Sequence, residues 1–127
     1  MPQTFGLTHI HLVVADIARS LAFYTDVFEM EELFWEGEDL VFLRTPGTKD
    51  MITLNADPTR GNPGDSGGIA HFGFRLLNAT DMDRAVAEVE AAGGTLVRRG
   101  EHSAGELFAY VRDPDGYLIE IDAQEAQ

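Results

Sequence analysis

Residues Thr8–Tyr24 read THIHLVVADIARSLAFY, and residues Ala70–Val89 read AHFGFRLLNATDMDRAVAEV, so one pattern occurs twice in the chain. Each copy begins with a histidine inside an apolar, β-branched or aromatic run, continues to an aspartate, and enters a helical periodicity. Asp16 falls over Asp81, Ile17 over Met82, Arg19 over Arg84 and Leu21 over Val86. Further on, Asp39–Gly47 matches Glu106–Gly116, and Met51–Asn55 matches Leu118–Asp122. A chain written this way must fold as two related modules, and together the copies span nearly all of it.

Each copy reads as strand, helix, strand, strand, strand. In the first, Thr8–Val14 alternates as a strand and Asp16 is a natural helix N-cap. Ile17, Leu21, Tyr24 and Phe28 then fall on one helical face. Short strands follow near Met30–Trp35, Leu40–Arg44 and Met51–Asn55. In the second copy the strand is Ile69–Leu76, Met82, Ala85, Val86 and Val89 point inward from a helix, and Gly93-Gly94 stops it. Strands near Leu96–Arg99, Leu107–Arg112 and Leu118–Ala123 complete that unit, the last pair joined by the turn DPDG (Asp113–Gly116). A Pro/Gly/Asp-rich stretch, Ala56–Gly68, separates the copies. The expected organisation is one domain over 1–127: module one at 5–56, a linker at 57–67 and module two at 68–125.

Composition narrows the chemistry. At 127 residues, with 44% hydrophobic and 24% charged residues, the chain reads as one ordinary globular domain. Cysteine is absent, so disulfides, thiolate zinc sites and a cysteine nucleophile are excluded, and nitrogen and oxygen remain as metal ligands. A net charge of −13 repels phosphate backbones and anionic lipids, so neither nucleic acid nor a membrane is an expected partner. No apolar run approaches the roughly 20 residues of a membrane span, and the N-terminus shows no basic-then-apolar leader, so a cytoplasmic protein is expected.

Strand parity assigns the polar groups to faces. Ile10, Leu12 and Val14 share one side of the first strand, leaving His9, His11 and Val13 on the other. In the fifth strand Phe72, Phe74 and Leu76 face the helix, while His71, Gly73 and Arg75 face away. In the last strand Ile119 and Ile121 go inward, with Leu118, Glu120 and Asp122 opposite. His9 and His71 hold equivalent repeat positions, so a pseudo-twofold arrangement brings them together, and Glu120 lies on the corresponding face of the closing strand. Two imidazoles and a carboxylate suit one borderline divalent ion, Fe, Mn, Ni, Co or Zn, and leave open positions for substrate. His11, two residues beyond His9 on the same face, is a candidate proton donor, substrate contact or extra ligand.

These segments resemble the glyoxalase, bleomycin-resistance and extradiol-dioxygenase superfamily, the vicinal oxygen chelate proteins. The resemblance rests on HIHLVVADIARSLAFY, GIAHFGF and DPDGYLIEID and covers essentially the whole chain. It implies an α+β fold of two paired βαβββ modules forming an incomplete barrel around a metal ion. The family's metal histidine seven residues before the helix-opening aspartate matches His9, its second matches His71, and the glutamate after the DPDG turn matches Glu120. Family members commonly form homodimers in which two chains share each site.

The resemblance also separates branches. Glyoxalase I enzymes place a fourth protein ligand where the repeat puts Thr53, a poor ligand for these metals. Extradiol dioxygenases and fosfomycin-type thiol transferases place a functional tyrosine ten residues before the metal glutamate, and Tyr110 has that spacing. The stretch GEHSAG (Gly100–Gly105) resembles the extradiol loop whose histidine assists substrate or oxygen binding, here His102. The extradiol acid/base histidine between modules has no counterpart in Asn55–Gly68, and no basic residue follows Glu120 as in the fosfomycin branch. The expectation is a metal-dependent enzyme acting on a small oxygenated substrate, foremost an extradiol-type dioxygenase. The alternatives are a glyoxalase-like lyase or isomerase, a thiol transferase, or a non-catalytic antibiotic-binding protein.

Overall fold

The computed structural model describes residues 1–126 and divides into two compact units, Met1–Pro63 and from Gly64 onward, with the division inside the expected linker. The first unit runs β1 (Ile10–Val13), α1 (Ile17–Phe28), β2 (Glu31–Trp35), β3 (Leu40–Arg44) and β4 (Ile52–Asn55), followed by a 3-10 turn at Pro58–Arg60. The second runs β5 (Phe72–Arg75), α2 (Met82–Ala91), β6 (Thr95–Ser103), β7 (Glu106–Arg112) and β8 (Leu118–Gln124). The sheet orders are β1-β4-β3-β2 and β5-β8-β7-β6. Both units therefore have one topology, in which the helical crossover lets the first strand pair parallel to the last while the remaining pairs are antiparallel. The α+β, twofold βαβββ architecture expected from the repeat is the one observed.

Local chemistry sets the element ends. The Asp16 side chain accepts a 3.1 Å hydrogen bond from the Arg19 amide and so caps α1. At the end of α2, Gly94 N donates to Val89 O at 2.9 Å, and Gly93 adopts φ +95°, a conformation that glycine takes without Cβ strain. Asp113 Oδ1 accepts from the amides of Asp115 and Tyr117, locking the turn that folds β8 back onto β7.

One face of each sheet carries its unit's core. Leu12, Val14, Val41, Leu43, Ile52 and Leu54 are buried in the first unit with Phe23 and Tyr24 of α1. In the second, Ala109, Val111, Ile119 and Ile121 are buried with Met82, Ala85, Val86 and Val89 of α2. The α2 stripe agrees with its periodicity. The α1 stripe is rotated from the expected one: Ser20, Phe23, Tyr24 and Val27 are buried, while Ile17, Leu21 and Phe28 are half-buried along its flank. Phe23 packs edge-on against Tyr24 at 5.0 Å and Phe28 at 6.1 Å, so the aromatic cluster, not the Ile17–Leu21 row, sets the buried side.

The first strand of each unit is shorter than its alternation implied. β1 begins at Ile10 and β5 at Phe72, so His9 and His71 stand one residue before their strands in both copies. β6 is longer than expected and includes His102, which was expected in a loop. The hairpin with β7 extends through it because ladder pairing continues to Ser103↔Glu106.

Candidate functional site

The second unit gathers four of the six residues singled out by sequence. Glu120 in β8 faces Tyr110 across the β7 ladder and Gly73 across the β5 ladder. Gly73 is required there, because a Cβ at that position would lie 2.9 Å from the Glu120 carbonyl oxygen. Glu120 Oε1 is 3.1 Å from His71 Nε2 and accepts a 3.3 Å hydrogen bond from the Tyr110 phenol. Glu120 Oε2 is 2.7 Å from His102 Nε2. The carboxylate is thus the hub of the cluster, 16% exposed, with His71 and His102 more open at 33% and 45%.

Two features hold the surrounding side chains. β6 shifts register between Glu101 and Ser103, so His102 is an extra residue opposite a single step of β7. Such a bulge re-aims its side chain, here onto the Phe108 ring in a 4.2 Å stack. His71 meets the Tyr110 ring edge-on at 5.2 Å. Burial pushes the Tyr110 phenol above its ordinary pKa, and the adjacent Glu120 charge and hydrogen bond add to the effect. At neutral pH the phenol is therefore a firmly protonated donor. An open concavity of about 480 Å³ runs past His71, Gly73, Arg75, Glu120 and Asp122. Arg75 is held at its far end by Asp122, with two nitrogen–oxygen distances of 3.0 and 3.1 Å.

The equivalent face of the first unit is built on the same registers. Thr53 stands opposite His11 on one side and Phe42 on the other, as Glu120 stands opposite Gly73 and Tyr110. The Thr53 hydroxyl is buried and has no hydrogen-bond partner among the described residues. His9 is exposed, and its Nδ1 lies 2.8 Å from the Thr8 hydroxyl. His11 is more constrained. The Asp57 amide donates to Asn55 Oδ1 at 2.8 Å, which turns Asn55 Nδ2 toward His11 Nε2 at 3.1 Å. That nitrogen must accept, so the ring is neutral and carries its proton on Nδ1. Burial lowers the His11 pKa, with the charges of Arg60 and His9 reinforcing it. With Nε2 occupied, His11 offers an N–H donor in place of an open ligand nitrogen.

The donor chemistry suits a first-row divalent ion. Two ligands in adjacent positions at about 2.1 Å from such an ion lie about 3.0 Å apart, and His71 Nε2 and Glu120 Oε1 are 3.1 Å apart. Among the described residues, no group of three or more His, Asp or Glu side chains is arranged to hold an ion. No helix is long and apolar enough to cross a membrane.

Arg98 is the site-face residue that sequence reading passed over. It pairs in the ladder with Tyr110, and its guanidinium lies over the Phe108 and Tyr110 rings. The adjacent pair Arg98-Arg99 in an alternating strand was the available signal, because one of the two had to face the site.

Comparison with known proteins agrees with this architecture. The chain is 27% identical over 115 residues to the manganese-dependent 2,3-dihydroxybiphenyl 1,2-dioxygenase of Geobacillus genomosp. 3, covering 89% of this chain and 35% of that protein. It is 31% identical over 130 residues to a probable lactoylglutathione lyase of Vibrio cholerae, covering 91% and 88%. The chain spans less than half the length of the dioxygenases that it matches. The crystal structure of a glyoxalase-related enzyme from Fulvimarina pelagi superposes with a TM-score of 0.79 at 22% identity, over 95% of this chain and 89% of that one. Residues 6–121 match the family model, and the chain belongs to the Glyoxalase/Bleomycin resistance protein/Dioxygenase superfamily.

Proposed function

We propose that the protein is a metal-dependent enzyme, with His9, His71 and Glu120 as the ligands of one divalent ion and a small vicinally oxygenated molecule as substrate. The observation that carries the proposal is the convergence on Glu120: a ligand-competent imidazole, a protonated phenol and a second imidazole all meet one carboxylate. When bound, the ion would supply Lewis acidity and a template for two substrate oxygens. His71 and Glu120 would hold it from the second unit. His9, with Nδ1 engaged by Thr8, would present Nε2 from the first.

The remaining groups have separable tasks. Tyr110 donates its proton to a substrate oxygen as negative charge develops there. His102, positioned by its bulge and its stack on Phe108, releases Glu120 Oε2 and accepts or donates a hydrogen bond to the substrate. His11 contributes its Nδ1–H. We assign ring cleavage of the extradiol type ahead of lyase or isomerase chemistry. Thr53 stands at the register of Glu120 in the first unit, and a hydroxyl there is a poor fourth ligand of the kind a glyoxalase-type site uses.

We further propose a twofold homodimer in which His9 and Glu120 of one site come from different copies. β1 and β5 are edge strands in their own sheets, each with a histidine just before it, and edge strands are the kind of element a second chain can cover. The functional test is oxygen consumption by protein reconstituted anaerobically with Mn(II) or Fe(II), screened against catechols and related diols. Oxygen uptake coupled to loss of the diol supports the dioxygenase assignment. Diol binding without turnover by any reconstituted form would turn the reading toward a sequestering protein.

A further inference from the structure

β6 carries two adjacent arginines with opposite fates. Arg99 Nη2 pairs with Asp83 Oδ1 of α2 at 2.8 Å. Arg98 is placed differently, because the register shift between Leu96 and Arg98 makes Val97 the extra residue and sets Arg98, not Val97, opposite Tyr110. The guanidinium carbon lies 5.2 Å from the Phe108 ring centre and 5.6 Å from that of Tyr110. Among the described residues the Arg98 guanidinium has no carboxylate partner and no hydrogen bond, although the chain holds 22 acidic residues against 9 basic ones. Arg75, Arg84 and Arg99 each have an acidic partner.

A guanidinium over aromatic rings is held by the ring quadrupoles, while its five N–H donors lie in its own plane. The contacts with Phe108 and Tyr110 therefore leave the planar fork available, and that fork matches the two oxygens of a carboxylate. Tyr110 is also the residue whose phenol bonds to Glu120. The free cation thus sits one side chain away from the carboxylate at the hub of the site.

We propose that Arg98 recognises an anionic group on the substrate, which is accordingly a dihydroxylated aromatic acid whose carboxylate receives N–H bonds from Arg98 while its vicinal oxygens face His71 and Glu120. The inference rests on the metal-site reading above and adds the substrate class to it. The flat aromatic surroundings of Phe108, Tyr110 and His102 suit a planar arene carboxylate better than a tetrahedral oxyanion.

The test is calorimetric titration, under nitrogen, of Mn(II)-loaded protein with three probes: 3,4-dihydroxybenzoate, 4-methylcatechol and benzoate. The wild type should bind 3,4-dihydroxybenzoate roughly tenfold or more tighter than 4-methylcatechol, the scale of a hydrogen bond to a charged group. Arg98→Gln should remove that preference while leaving 4-methylcatechol affinity within about twofold, and Arg98→Lys should keep part of it. An equal affinity of the wild type for the two diols, or a preference that survives in Arg98→Gln, overturns the proposal. Benzoate separates this proposal from the metal reading, because it lacks the diol. If the diols bind no tighter than benzoate, yet benzoate binding falls in Arg98→Gln, anion recognition stands and the chelation reading fails. If diol binding requires the metal but ignores Arg98, the reverse holds. Failure of the wild type to bind either carboxylate probe also overturns the proposal.

Discussion

Tyr110 and Glu120 stand directly opposite each other in the β7–β8 ladder, and the phenol donates a 3.3 Å hydrogen bond to Glu120 Oε1. Cross-strand pairing makes this relationship a property of the backbone, because residues facing each other in a ladder keep their side chains on the same face. The phenol and the carboxylate, proposed above as proton donor and metal ligand, are thereby kept adjacent without help from a flexible loop. Tyr110→Phe should leave folding and metal content intact and lower kcat by roughly 10²-fold, the scale of a lost acid–base contact. Steady-state kinetics on the diol identified by oxygen uptake checks this. An unchanged rate would make Tyr110 a packing residue.

The clamp on His11 predicts a titration that can be reversed. In the metal-free protein the His11 midpoint should lie below its ordinary value of about 6.5. Between the folded and the ordinary value the unfolded chain binds more protons, so this group makes stability rise with pH in that window. Asn55→Asp replaces the amide donor with a carboxylate, which should move the midpoint above the ordinary value and reverse the slope. NMR titration of the His11 ring protons reads both. A midpoint unmoved by Asn55→Asp would remove the tautomer assignment.

Gly73 predicts a stability cost localised at the site. Gly73→Ala places a Cβ against the Glu120 backbone and forces β5 and β8 apart, at about 1–3 kcal/mol for an overpacked contact. Gly68→Ala, where a Cβ meets nothing within 4 Å, should be neutral to within about 0.5 kcal/mol. Urea denaturation of the two variants makes the comparison. Equal midpoints would show that the β5–β8 approach tolerates a side chain.

Much of this was legible in the chain, for definite reasons. The repeat carried the topology, and strand parity placed Ile119, Ile121, Leu12 and Val14 on the buried faces where they lie. The pairing of β7 with β8 followed from the DPDG turn, and Tyr110 and Glu120 came together with it. What escaped was set by tertiary pairing. His102 sits between glycines at 100 and 105 in a segment with weak strand propensity, so it read as loop, whereas ladder pairing with β7 makes it strand. Neither bulge of β6 has a local sequence marker, so the Arg98-Arg99 pair signalled that one arginine faces the site but not that it is Arg98. On α1, Ser20 gave no apolar signal, although it is fully buried.

The proposed sharing of sites makes a mixing prediction. His9→Ala and Glu120→Ala proteins should each bind metal weakly, yet a heterodimer formed from both would hold one intact site. Metal binding should therefore reappear after mixing, and light scattering should report a dimer at micromolar concentration. No recovery after verified subunit exchange, or a strictly monomeric mass, would contradict sharing.

The central claim is that His9, His71 and Glu120 hold one divalent ion. Its most direct test is metal stoichiometry by elemental analysis of anaerobically purified protein, compared across single alanine variants. The account predicts about one ion per chain in the wild type, and a loss of affinity of tenfold or more in His9→Ala, His71→Ala and Glu120→Ala. Thr53→Ala should retain the ion. Full metal content in all three ligand variants, or its loss in Thr53→Ala, would contradict the assignment.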